Sequence, residues 1–348
     1  MDNISGTLKN SKEAFMHKCK FWFLMLPLVL VFAMAIPLKT FAANQELNVI
    51  AAYNAKHDIF DKFSRDTGIK VNFLDMSSGE VLARMRSEKG RPLADVWFGG
   101  GVDAFIAAKR DGLLEKYVSP QAKHIPERFK DPEGYWTGIS LVTVDFVVNT
   151  AVLKEKGIDI PKTWSDLTAP QFKGEISMSN PSISGTAYFI LYSLLSAKGK
   201  VKGWDFFGKL DKNIPFYAKR GSEPPQKAAI GEAAVGLAPG LWKGLQDQGY
   251  PIKHVFPEDG IPWWPAPVAI FKNAKNMDSA KALVDWALSK EGQKYLKTKD
   301  PRFPARKDVP PPKELKDVDK NDFIHVDFIQ AGKERNKVVN KWQERFAK

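Results

Sequence analysis

From Glu46 onward, two periods of apolar residues alternate along the chain. LNVIAAY reads as a short buried strand, HDIFDKFSRDTG as a helix ended by Gly68, and IKVNFLD as a second strand. SSGEVLARMRSEKG, ADVWFGG and VDAFIAAKRDGLL continue the cycle, the last with apolar residues three and four apart. Strand and helix in alternation predict a parallel α/β sheet with helices on its faces. Phe60, Phe63, Phe189 and Trp286 fit the apolar faces of helices and are expected in the core.

YWTGISLVTVDFVVNT is rich in β-branched and aromatic residues and too long for one ordinary strand, so it is expected to run from one lobe into the next. Between Pro161 and Pro257 the alternation returns: FKGEISMS as strand, SGTAYFILYSLLSAKG and GWDFFGKLDKN as helices, AAVGLA as strand. PAPVAIFKNAKN then reads as a strand crossing back near Ala266–Phe271, followed by the helix MDSAKALVDWALSKEGQKYLK. The expected fold class is α/β, two-lobed, with a two-strand hinge and a cleft between the lobes. Residues 43–142 plus about 267–305 are expected to form one lobe, and 143–266 plus about 306–348 the other. DPRFPARKDVPPPKEL is Pro-rich and charged and reads as a surface connector; the tail from Asn321 reads as a charged amphipathic helix packed on the outside.

Ahead of this pattern, Lys9, Lys12, Lys18 and Lys20 precede an apolar run from Phe21 to Pro37, and Thr40-Phe41-Ala42 follows it. That order predicts a secretory signal peptide over 1–42, cleaved after Ala42, and hence a periplasmic destination. A retained anchor is the alternative, because about 17 apolar residues reach the lower limit of a spanning helix. Cys19 is the single cysteine and precedes the apolar run, so no lipid acceptor, disulfide or thiolate chemistry is available to the rest of the chain. With 44% hydrophobic and 26% charged residues, a core of ordinary size needs no metal or disulfide staple. The formal charge is +12; five lysines against Asp2 and Glu13 in 1–42 leave +9 for the remainder. A positive balance favours anionic partners, although a solvated basic surface accounts for most of it. No dense Lys/Arg stripe with interleaved aromatics supports nucleic-acid binding.

Candidate chemistry sits where small polar residues follow strands. Ser77-Ser78-Gly79 and Ser184-Gly185-Thr186 each open a helix, and Gly99-Gly100-Gly101 follows ADVWF. Helix N-termini offer free N–H groups and partial positive charge, hydroxyls add donors, and glycines let a ligand reach the backbone. Taken singly, each loop also fits an ordinary N-cap and turn. Trp263 and Trp264 in GIPWWPAP are placed either to stack on an organic ligand or to pack the hinge. Neither G-x-S-x-G nor HExxH occurs, which removes the obvious hydrolase signatures and leaves a secreted phosphoester hydrolase as the enzymatic alternative.

With these pieces assembled, the chain beyond residue 42 resembles the bacterial extracellular solute-binding proteins that include ferric-ion-binding receptors. AYNAKHDIFDKFSRDTGIKVNF, SSGEVLARMRSEKGRPLADVWFGGG, TWSDLTAPQFKGEISMSNPSISGTAY and NAKNMDSAKALVDWALSKEGQKYL carry the resemblance in order. It implies a periplasmic-binding-protein fold that closes on its ligand. It further implies a monomer without a cofactor that docks on an inner-membrane ABC permease with a cytoplasmic ATPase. The ferric branch uses a His in the first loop, a carboxylate after a strand, and an adjacent Tyr pair in the second lobe. His57, with Asn54 in the same loop, matches the first place. Gly99-Gly100 stand near the second, and Pro239-Gly240-Leu241-Trp242 hold the place of the Tyr pair. Ferric iron needs anionic oxygen ligands. The resemblance therefore shifts the expected cargo from metal to anion, with the Ser/Gly loops and Arg220 as anion contacts and Trp242 as a cleft wall. A phosphorylated solute, such as a sugar phosphate or phosphonate, is the expected class, and a ferric receptor is the alternative.

Overall fold

The computed structural model describes residues 45–88 and 91–346; the expected signal segment lies outside the described residues. The first lobe is built from β1 (Glu46–Ala51), α1 (Lys56–Thr67), β2 (Lys70–Asp75), α2 (Ser78–Ser87), β3 (Val96–Phe98) and α3 (Val102–Arg110). Strands β1 to β3 are parallel, as the alternation of strand and helix predicts, with β1 between the other two. The residue after α1, Gly68, adopts φ 77°, a left-handed conformation that ends the helix.

A long strand, β4 (Thr137–Asn149), is buried along its whole length. The second lobe follows with β5 (Ile176–Ser179), α4 (Gly185–Lys198), α5 (Lys200–Leu210), β6 (Tyr217–Ala218), β7 (Val235–Pro239) and β8 (Ile252–Val255). The chain returns through β9 (Trp263–Phe271) and closes with α6 (Met277–Leu288), α7 (Lys290–Lys299) and α8 (Phe328–Phe346). The strand order β2-β1-β3-β9-β4-β7-β5-β6 is continuous across both lobes.

The hinge is a pair of antiparallel strands. Residues 137–143 of β4 pair with β9, and residues 144–149 pair with β7 and β8 of the second lobe. The register of β4 and β9 shifts between Ala266 and Pro267. Pro265 and Pro267 donate no backbone N–H, so the ladder is interrupted where it passes between lobes. Helix α4 is apolar on nearly every face and buried, as suits a helix enclosed on all sides.

The segment expected as a surface connector is instead partly core. Phe303 and Pro304 pair with Leu141 and Ser140 of β4, and Asp300, Arg302 and Arg306 are all at most 5% exposed. Their charges are tolerated because each is paired: Arg302 with Asp300 at 2.8 Å, Arg306 with Asp308 at 2.8 Å. The tail helix α8 buries one charge as well. Arg335 Nε donates to Asp103 Oδ2 of α3 at 2.6 Å, and its Nη2 donates to the Ser182 carbonyl ahead of α4 at 3.2 Å. Burial pushes the Asp103 carboxyl up and Arg335 pulls it back. No helix among the described residues is long and apolar enough to cross a membrane.

Candidate functional site

A cavity of about 620 Å³, its open mouth included, lies between the lobes at the carboxyl ends of β1, β2 and β7. That is where an α/β sheet leaves room for a ligand. The N-termini of α2 and α4 both open into it through Ser77, Ser78, Ser184, Gly185 and Thr186. N–H groups in the first turn of a helix have no intrahelical partner and carry partial positive charge. The serine hydroxyls hold local structure. Ser78 Oγ accepts the Gly101 N–H at 2.8 Å, and Ser184 Oγ accepts from Ser179 Oγ at 2.9 Å. Each of these hydroxyls accepts and keeps its own O–H, so backbone N–H groups, hydroxyls and the cations of the cavity are all donors available to an anion.

Three cations face the cavity. Lys56 begins α1 in the first lobe, Arg220 follows β6 in the second, and Arg302 follows α7. The Asp75 carboxylate, ending β2, forms an ion pair with Lys56 Nζ at 3.1 Å and accepts from Arg220 Nη1 at 3.2 Å, both at Oδ2. One acidic oxygen therefore ties a cation from each lobe. Arg302 is 5% exposed and lies over the Tyr53 ring, 4.3 Å from its centre. Burial pushes the Tyr53 phenol up to about 12, so it stays a neutral hydroxyl, 3.0 Å from Ser140 Oγ. Burial likewise raises the Asp300 carboxyl, opposed by Arg302 and by a hydrogen bond from Asn54. A second ion pair, Lys219 with Glu80 at 2.8 Å, joins the lobes beside the first.

The cavity brings together Asn54, Gly100, Arg220 and Trp264 with the five helix-opening residues, out of those proposed from sequence. It does not collect the others. The His57 ring stands edge-on to Phe73 at 4.7 Å, and the Gly79 N–H is given to the Ile183 carbonyl at 3.0 Å across the lobes. Gly99 has a packing role: with φ 78° it gives its N–H to the Pro267 carbonyl, and a Cβ there would lie 2.7 Å from the Tyr53 ring. Trp242 lines a separate groove, of about 1250 Å³ with its open mouth, that shares Asn54 with the cavity. Trp264 is 2% exposed, stacks on Phe189 at 5.1 Å and donates its indole N–H to the Gly100 carbonyl. It buttresses the Gly100 loop. Trp263 packs among Phe129, Phe323 and Phe328.

Lys56, Asp75 and Arg302 also line the cavity, and the sequence pattern does not single them out. Asp75 carried a usable signal, being the last residue of a strand in a parallel sheet. Among the described residues no cluster of three His, Cys, Asp or Glu side chains is arranged to hold a metal ion.

Residues 91–331 match the family model described as bacterial extracellular solute-binding protein. The chain is 34% identical to the periplasmic binding protein AfuA of Actinobacillus pleuropneumoniae, solved with exogenous fructose-6-phosphate bound. That match covers 88% of this chain and 99% of the other, with a TM-score of 0.83. An uncharacterized protein of Haemophilus influenzae is also 34% identical, over 80% of this chain and 84% of its own length. Iron uptake protein A1 of Synechocystis is 24% identical, over 76% of this chain and 77% of its own length.

Proposed function

Because the chain belongs to the family of bacterial extracellular solute-binding proteins, we propose that it captures a small phosphorylated organic solute in the periplasm and delivers it to an ABC permease. The observation that carries the cargo class is the convergence of two helix N-termini with Lys56, Arg220 and Arg302 on one cavity. Such a set of N–H donors and cations suits a phosphoryl group, with its several acceptor oxygens and its charge. The 34% identity to a protein solved with fructose-6-phosphate supports the same class. The ferric alternative lacks support at the place of its phenolate pair, where Pro239 lines the cavity and Trp242 lies in the neighbouring groove. In this reading Asn54, Ser77, Ser78, Gly100, Ser184, Gly185, Thr186 and Arg220 contact the solute, and closure of the lobes about β4 and β9 encloses it. The protein acts as a monomer after removal of the segment 1–42, and it binds without turnover.

The test is thermal unfolding and calorimetry with fructose-6-phosphate, 2-aminoethylphosphonate and 3-phosphoglycerate against their dephosphorylated counterparts and ferric citrate. A phosphorylated solute at about 100 times its Kd should raise stability by about 2.7 kcal/mol, a midpoint shift of about 5 °C. Stabilisation by ferric citrate alone, with the colour of tyrosinate-bound iron, would refute the reading. Steady release of inorganic phosphate would replace binding with hydrolysis.

A further inference from the structure

Asp75 is an acidic side chain in a cavity otherwise suited to anions, and its geometry is asymmetric. Lys56 pairs with Oδ2 and Arg220 donates to it, and the Asp75 carbonyl takes Arg220 Nη2 at 3.4 Å, while Oδ1 has no hydrogen-bond partner among the described residues. The carboxylate is 40% exposed and lines the cavity beside the N-terminus of α2. An ionised carboxylate only accepts hydrogen bonds. Whatever approaches Oδ1 has to bring an O–H or N–H; an anion oxygen placed there meets like charge with no proton between.

We propose that Asp75 is a specificity-determining residue that makes the cavity demand a hydrogen-bond donor on the solute close to its anionic group. This rests on the phosphorylated-solute reading and narrows it to hydroxylated or amino-substituted phosphate esters and phosphonates. Oδ2 holds the two cations in place, one from each lobe, and Oδ1 accepts from the solute. With Arg302 paired to Asp300, the excess of Lys56 and Arg220 over Asp75 favours a phosphoryl anion, while Oδ1 disfavours anions that carry no proton. A bare tetrahedral dianion such as sulfate fits the helix termini and the cations but has nothing to offer Oδ1.

The experiment compares the wild type with Asp75→Asn, a substitution of the same shape whose amide can donate, using calorimetry with fructose-6-phosphate and with sulfate. Thermal melts verify that both proteins are folded, and Asp75→Ser serves as a second variant if the first does not fold. The wild type is expected to bind the sugar phosphate and to show no heat with sulfate. Asp75→Asn is expected to lose about tenfold in sugar-phosphate affinity and to gain measurable sulfate binding. Equal sugar-phosphate affinity in the two proteins, or sulfate binding by the wild type, overturns the role of Asp75 and leaves the phosphorylated-solute reading standing. If no phosphorylated solute binds the wild type, that reading falls and the inference falls with it.

Discussion

Two arginine–aspartate pairs join parts of the molecule that are distant in sequence, and they differ in what surrounds them. Arg335 and Asp103 lie behind the cavity, 6% and 0% exposed, with the Tyr188 ring beneath the guanidinium and the Ser182 carbonyl on its edge. Arg220 and Asp75 lie inside the cavity, with side chains 38% and 40% exposed. The rear pair is almost wholly shut off from water and is tied to the fold; the front pair keeps hydrogen-bonding capacity for something else. Between these two pairs, burial separates the structural use of the charges from the functional one.

The largest effect belongs to the rear pair. Arg335→Ala leaves Asp103 buried without a partner and is expected to cost about 3–5 kcal/mol in urea unfolding, whereas Arg335→Met combined with Asp103→Leu should recover most of it. If the single substitution is as mild as a surface change, the pair is not the anchor its burial indicates. At the front the effect moves from stability to affinity. Arg220→Ala should weaken phosphorylated-solute binding by about 1.5–3 kcal/mol in calorimetry, with a stability change within about 0.5 kcal/mol. A loss of stability without loss of affinity would reverse the assignment.

The smallest effect belongs to an intermediate case. Arg306 is 5% exposed, but the side chain of its partner Asp308 is 41% exposed. Arg306 holds the Asp308 carboxyl down to about 2. A lowered folded value stabilises the protein above the ordinary aspartate range, and that contribution disappears as pH falls from about 4 to about 2. Asp308→Asn should therefore be less stable than the wild type at neutral pH, with the two stability curves converging below about pH 2. A constant offset down to that pH would show that the pair does not titrate with folding.

These same residues show what was legible in the sequence. Strand and helix alternation, the hinge run at 137–149 and the serine–glycine openings of α2 and α4 were readable, because each is a run of residues whose period or composition has a local cause. Single charges were harder. The sequence points to His57 in this loop, yet one residue along a helix is a turn of about 100°, and it is Lys56 that faces the cavity while His57 packs on Phe73. Arg302 sits in a Pro-rich stretch that reads as exposed. Its burial depends on Asp300, Tyr53 and the strand pairing of Phe303, partners far apart in the chain or unrelated to its local pattern. The tail helix reads as charged and amphipathic, and nothing local marks Arg335 as the charge that turns inward.

The glycines at the meeting of the lobes have a further consequence. A Cβ on Gly185 would lie 2.8 Å from the Gly101 nitrogen, and one on Gly79 would lie 2.7 Å from the Ser182 and Ile183 carbonyl oxygens. These positions act as a mechanical stop whose thickness is a bare backbone. One added methyl is a wedge, so the same two sites that let the jaws meet are the handles by which an engineer could prop them apart, turning a carrier of cargo into a sensor that reports capture without completing it.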